Sequence, residues 1–312
     1  HYLECRMMND VITFCEKKLN LDVGTVKVTV LIETINAVFQ MEEFLWELKD
    51  HIVGLNAGRW DYLFSYQKVY RNTKKVILPD RSKVNMFVPF MSNYNKLLVD
   101  TCHKRGAFGM GGMSAQVIAK SNPAEINDKA LAGVKKDKER ELNQGNDGAW
   151  VAHPSLVEPV KNIFEKNFKG PNQIGKFNNE KINRRDLLDE PEIENGITEA
   201  GVRENLQEGI EYMAYWLAGT GCTVVNYLMA DAATCEVSRA QLWIWMKYKI
   251  KLNDGRTIDE KLIDTLIEEE LNKIKNRVGN EIFEKIPFKK ASKIFKEMIS
   301  KEIFDDFLTL SL

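Results

Sequence analysis

The chain has no pair of cysteines at the short spacing of a zinc or thiol-redox motif, which excludes both by spacing. Its five cysteines, Cys5, Cys15, Cys102, Cys222 and Cys235, are odd in number, so reduced and mostly buried thiols in a reducing compartment are expected. No window is long and apolar enough to span a bilayer, and the first residues do not form a signal peptide. Neither sign of charge prevails. The 44 basic and 45 acidic residues give a formal net charge of −1, so nothing draws the whole chain to nucleic acid or an anionic membrane. Internal repeats and low-complexity tracts are missing too. The glycine cluster AFGMGGM, residues 107–113, fits neither the dinucleotide fingerprint nor the phosphate-binding loop. It permits close backbone approach, either to a ligand or to a neighbouring element. What is present is an ordinary globular composition, 44% hydrophobic over 312 residues, enough for one or two domains.

Residues 26–64 organise the rest. Val26, Val28, Thr29, Val30, Leu31 and Ile32 read as a strand buried on both faces, ending in the carboxylate of Glu33. Apolar residues at helical spacing follow (Val38, Phe39, Met41, Phe44, Leu45, Leu48), with Gly54 as the left-handed residue that closes the helix. A short strand-like piece, LNAG, then delivers Asp61 within Gly58-Arg59-Trp60-Asp61. Glu33 and Asp61 are one strand–helix unit apart, so a parallel sheet or barrel puts both acids at the same end of neighbouring strands. Such a pair suits a hard divalent cation. On spacing alone, each acid reads more readily as a cap of the helix after it.

Further along, residues 1–21 form a helical pattern with no strand before it, a start that suggests missing upstream sequence. Residues 68–83 are polar and basic, as in a loop. A helix is expected from Pro89 to Gly106 and another over 124–144, where the run KKDKER reads as a solvated face because acids interleave with bases. AWVAHP is a short strand whose His153 is a ligand, a base or a hydrogen-bonded structural histidine, and a helix over 155–168 follows. Four strand–helix repeats of this kind describe a parallel α/β arrangement over 1–170. The polar stretch 171–197 is a linker or long surface loop, and 198–312 is helical. In that last part Thr198 starts a helix, Asp231 precedes the helix through Trp243 and Trp245, Thr257 to Glu260 form a capping box, Gly279 ends that helix and Pro287 starts the last.

The strings VLIETINAVFQMEEFLWELKDHIVGLNAGRWDYLFSYQK, VPFMSNYNKLLVDTCHKRGAFGMGGMSA, DGAWVAHPSLVEP and NYLMADAATCEVSRAQLWIW, with the closing DDFLTL, resemble segments of malate synthases of the shorter type, in the family's order. The resemblance implies a partial TIM (β/α)8 barrel, corresponding to the C-terminal part of a full-length member, followed by an all-helical plug. It implies magnesium-dependent condensation of glyoxylate with acetyl-CoA to malate and CoA. On it, Glu33 and Asp61 match the magnesium ligands. The backbone of Gly58, Arg59, Trp60 and Asp61 matches the loop that holds glyoxylate, Trp150 lines the substrate pocket, and Asp231 is the catalytic base rather than only a helix cap. Trp243 and Trp245 stay assigned to packing.

Two departures bear on activity. The family's charge-stabilising arginine lies in a segment with no counterpart here, and Ala230 stands where the family usually has Glu just before the base. Cys235, in place of the family's common Ala, reads as a packing change. A related enzyme acting on acyl-CoA thioesters, such as a malyl-CoA lyase-like protein, and a non-catalytic remnant that binds CoA, metal or a partner are therefore alternatives, and an oligomer or a missing N-terminal part is an open expectation. No nucleic acid or membrane partner is expected. The expected location is cytoplasmic; a peroxisome or glyoxysome is the alternative, although Leu310-Ser311-Leu312 falls short of a Ser-Lys-Leu terminus.

Overall fold

A computed structural model describes residues 1–74, 77–188 and 196–311. Helix α1 (Tyr2–Lys18) leads into β1 (Val28–Ile32), α2 (Met41–Glu47), β2 (Ile52–Ala57), α3 (Arg59–Tyr70), α4 (Pro89–Lys104), β3 (Phe108–Ser114), α5 (Ala124–Gln144), β4 (Gly148–Val151) and α6 (Val157–Asn167). The four strands pair in parallel in the order β1-β2-β3-β4, the arrangement that successive strand–helix units produce. Two compact units result, one from His1–Tyr62 with Pro89–Asp189 and the other from Leu63–Val88 with Glu190–Leu312.

Two expectations about the opening segment are corrected. Strand β1 is not buried on both faces: its only described neighbour is β2, Thr29 is exposed, and Ile32 alone is buried. Gly54 does not close a helix. The helical stretch is a 3-10 turn (Ala37–Gln40) followed by α2, and Gly54 lies inside β2, where a Cβ would fall 2.3 Å from the Phe108 carbonyl oxygen on β3. A glycine is needed there for close strand approach, not for a left-handed turn. The boundaries of α4 and α5 agree with expectation: α4 stops before Gly106, which has φ +68, and α5 spans 124–144.

At the N-terminal ends of the strands a buried histidine clasps three segments. His103, near the end of α4, donates from Nδ1 to the Lys176 carbonyl at 2.6 Å and from Nε2 to Asp147 Oδ2 at 3.0 Å. Asp147 also accepts from the amides of Gly109 and Gln173. A carbonyl and an ionised carboxylate can only accept, so the ring carries both protons. Burial pushes its pKa down from 6.5, but the bonds to Asp147 and Lys176 outweigh that and raise it. A raised histidine contributes stability that is complete below its unfolded pKa of ~6.5 and is lost as pH climbs through the folded value. In urea unfolding, His103→Gln should therefore remove part of the stability decline above pH ~6.5; an unchanged slope would show the ring neutral. Through this clasp and the bonds from Gln173 and Asn178, the described part of the expected linker is tied to the first unit. Residues 189–195 of that stretch lie outside the described residues.

The second unit is helical as expected, with one addition. Helix α7 (Glu199–Leu217) is capped by Thr198, whose hydroxyl accepts from the Gly201 amide. A hairpin, β5 (Thr223–Val225) with β6 (Leu228–Ala230), then leads to α8 (Ala232–Lys247), α9 (Glu260–Lys285) and α10 (Phe288–Ser300). Leu206, Ile210, Leu242, Trp245 and Phe295 are central to its core. Trp243 and Trp245 are packing residues, their indole N–H groups donating to the Lys301 and Leu78 carbonyls. The cap of α9 is Asp259, which accepts from the Leu262 amide; Thr257 instead bridges to Lys251, so the expected capping box does not form. Gly279, non-helical at φ +81 and ψ 163, breaks α9 into two helical pieces, so the first of them ends there as expected. The five cysteines are free, with Cys5, Cys102 and Cys235 buried, and no described helix is long and apolar enough to cross a membrane.

Candidate active site

The C-terminal ends of β1 and β2 bring most of the expected site residues of the first unit together. Ile32 and Ala57 are register partners, so Glu33 and Gly58 leave the sheet side by side. A Cβ on Gly58 would fall 2.5 Å from Glu33 Cβ and 2.8 Å from its Oε2, so the acid covers the opening of α3. Arg59, Trp60 and Asp61 form the first turn of that helix, whose dipole favours negative charge there. The Gly58 amide is already engaged, donating to the Tyr94 hydroxyl at 3.0 Å, while Tyr94 donates to the Ile32 carbonyl. Tyr94 thus stitches the two strand ends together, and burial raises its pKa well above the ordinary phenol value. Asn56 does the same for β2 and β3, donating to the Gly111 carbonyl at 3.0 Å.

The run KKDKER is a solvated face only at Lys135, Lys136 and Glu139; its other three charges turn inward. Lys138 and Glu141 are fully buried, Arg140 nearly so, and Asp137 is mostly covered. Arg59 reaches Asp137 Oδ2 at 2.8 Å and Glu141 Oε1 at 3.6 Å. Lys138 donates to Glu141 Oε2 at 2.9 Å and to the Gly112 carbonyl at 2.6 Å, while the Gly112 amide donates to Glu141 Oε1 at 2.9 Å. Both polar groups of Gly112 are therefore held by side chains of α5, in the stretch where the β3–β4 register shifts between Met110 and Met113. Cβ atoms on Gly111 and Gly112 would fall 2.1 Å from Glu141 Oε2 and 2.7 Å from Arg59 Nε. Of the two readings of AFGMGGM, the neighbouring-element one accounts for these two glycines.

The charges in this network follow their surroundings. Burial works against the Asp137 carboxylate, but Arg59, Lys138 and Arg140 overcome it and hold its pKa well below the usual range. For Glu141 burial wins over Lys138, and its pKa is raised. Sequence reasoning missed Tyr94, Asp137, Lys138 and Glu141 as site elements. A signal for two of them was present: Lys138 and Glu141 share the helical stripe of buried Val134 and Leu142, where only core side chains belong.

The remaining expected residues are placed as follows. Trp150 on β4 is 41% exposed and pairs in register with Met113. His153 caps a 3-10 turn, Pro154–Leu156, accepting from the Ser155 amide, a structural role. In the second unit Asp231 is the N-cap of α8, with Oδ1 accepting from the Thr234 amide at 3.2 Å in a capping box. Ala230 and Cys235 beside it are buried.

No group of three His, Cys, Asp or Glu side chains suited to a metal is gathered among the described residues. The donors at the strand ends are the two carboxylates of Glu33 and Asp61. That set suits magnesium, which takes one or two carboxylates and fills its shell with water and substrate, and not zinc. Buried polar atoms lacking a hydrogen-bond partner also sit at these strand ends: Asn56 Oδ1 on β2, Ser114 Oγ on β3 and Arg59 Nε on α3.

The chain matches the family model "Malate synthase, TIM barrel domain" over residues 1–190 and "Malate synthase, C-terminal" over 196–312. It is 46% identical to a glyoxysomal malate synthase of Candida tropicalis, covering 99% of this chain and 56% of that protein. To a malate synthase of Myxococcus xanthus it is 42% identical, covering 99% and 57%. The chain thus spans a little over half the length of these curated relatives. A solved Haloferax volcanii malate synthase with magnesium and glyoxylate aligns at 14% identity and a TM-score of 0.44, over 89% of this chain and 62% of that one.

Proposed function

The chain belongs to the malate synthase family, and on that premise we propose that it takes part in magnesium-dependent condensation of acetyl-CoA with glyoxylate, releasing malate and CoA. The observation that carries this reading is the Glu33 carboxylate lying over Gly58 at the start of α3. There, Glu33 and Asp61 would hold the cation, and the turn from Gly58 to Asp61, at the positive end of α3, would receive the glyoxylate carboxylate. Magnesium bound by these acids would act as a Lewis acid toward the aldehyde carbonyl. Asp231 is the base that takes a proton from the acetyl methyl group, whose acidity as a thioester is too weak for ionisation without one. The carbon nucleophile so formed attacks the aldehyde carbon, and hydrolysis of the resulting thioester releases CoA as a thiol. Trp150, exposed on β4, supplies an apolar wall for substrate. For the compartment, the cytoplasm and the glyoxysome of the named relatives stand as alternatives.

Thiol release from acetyl-CoA tests the reading. It should require glyoxylate, disappear with EDTA and return with magnesium chloride. Glu33→Gln should lower it on the order of a hundredfold, the scale of several kcal/mol of lost charge stabilisation. Release without glyoxylate would mark a thioesterase. No release, with glyoxylate still bound in calorimetry, would mark a non-catalytic binding protein.

A further inference from the structure

We propose that Asp137 and Glu141 of α5 are positioning residues for glyoxylate binding, acting through Arg59 and the Gly112 backbone. This rests on the proposed function above. Arg59 is the first residue of α3, so its backbone belongs to the turn assigned to glyoxylate while its side chain is held by Asp137 at 2.8 Å. A shift of that guanidinium rotates the amides of the turn. Glu141 and Lys138 fix the neighbouring strand end by taking both backbone groups of Gly112, which a regular ladder would otherwise satisfy. Glu141 then closes the loop by facing Arg59 at 3.6 Å.

Stability is a poor explanation for such a cluster. Apolar side chains of similar volume generally serve a core as well as buried ion pairs do, because desolvation offsets the Coulombic gain. What an ion network adds is fixed geometry. The side chains of the network contact one another, so their effect on glyoxylate passes through the backbone of Arg59 and Gly112.

The test uses the unaltered full chain, Asp137→Asn, Arg59→Lys and a control, Lys135→Ala, whose residue is exposed on the same helix. Glyoxylate binding is measured by calorimetry with magnesium chloride present, and KM for both substrates and kcat by thiol release. For Asp137→Asn, the glyoxylate Kd and KM should rise about tenfold or more, with the acetyl-CoA KM within about twofold, since misplacing one recognition turn affects one ligand. Arg59→Lys keeps the buried charge and loses the fork, so it should show the same selective defect with the fold intact. Lys135→Ala should change neither constant. Equal glyoxylate affinity in Asp137→Asn and the unaltered chain overturns the proposal. So does a parallel loss of both KM values and of melting temperature in Asp137→Asn and Arg59→Lys alike, which would mark a structural role. If the unaltered chain binds glyoxylate without turning over, the functional reading fails, and the Kd ratios still decide this one. If it does not bind glyoxylate at all, both are overturned.

Discussion

Asp231→Asn is expected to lower glyoxylate-dependent thiol release by about a thousandfold, within the range for removal of a positioned general base. The same substitution should leave the melting temperature within about 2 °C, because Asn caps a helix as well as Asp does. That contrast makes the experiment decisive. Asp231 has a structural occupation on view, since Oδ1 accepts from the Thr234 amide and the Thr234 hydroxyl donates to the Asp231 carbonyl. An asparagine Oδ1 keeps the first of these bonds, while the amide group has no basic oxygen able to take a proton from carbon. If capping is the whole role, activity survives; if Asp231 is the base, activity disappears from a protein that melts normally. Asp231→Ala then serves as the opposite control, losing the cap and costing ~1 kcal/mol as well as the base.

Lys138→Met is expected to destabilise the first unit by about 3 kcal/mol, the low end of the cost of removing one partner from a buried ion pair. The methionine fits the space of the lysine stem, so little of the loss comes from a cavity. It comes from Glu141, left in the core without its 2.9 Å partner, and from the Gly112 carbonyl, which loses its donor. Arg59 and Arg140 still face Glu141 at 3.6 and 3.3 Å, which is why the low end applies. The deficit should depend on pH with a definite sign. Burial already raises the Glu141 pKa against the pull of Lys138, and the variant raises it further. A carboxyl raised on folding gives its stability below the unfolded value of ~4.3 and loses it as pH rises through the folded value. The variant should therefore be closest to the unaltered chain near pH ~5 and furthest at pH ~8 in urea midpoints. An equal deficit at both pH values would show that Glu141 does not change protonation between them.

Local chemistry explains what was legible in the sequence. Positions 124–144 form a helix because helical spacing persists to a left-handed residue, Gly145 at φ +96. Pro89 begins α4 and Gly106 follows its end, for reasons contained within a few residues of each. The pairing of Glu33 with the turn Gly58 to Asp61 was also readable, since parallel strands joined by one helix carry their ends to one edge. Gly54 was misread because a glycine after an apolar helical pattern looks the same whether it ends a helix or admits a neighbouring strand. Only the Phe108 carbonyl, 2.3 Å from where its Cβ would be, distinguishes the two.

By itself the sequence determined the alternation of elements, the family, and the identity of the acids offered at the strand ends, because each of these rests on periodicity, turn chemistry or contiguous strings. Tertiary structure alone decided which charges are solvated. Alternating signs in 135–140 satisfy the pattern of an exposed helix, and whether Lys138 meets water or Glu141 and Gly112 depends on where β3 runs. Whether Asp137 is solvated likewise depends on Arg59, 78 residues away. Burial of a charge is tolerated only where its partners converge, and that convergence is a property of the folded chain.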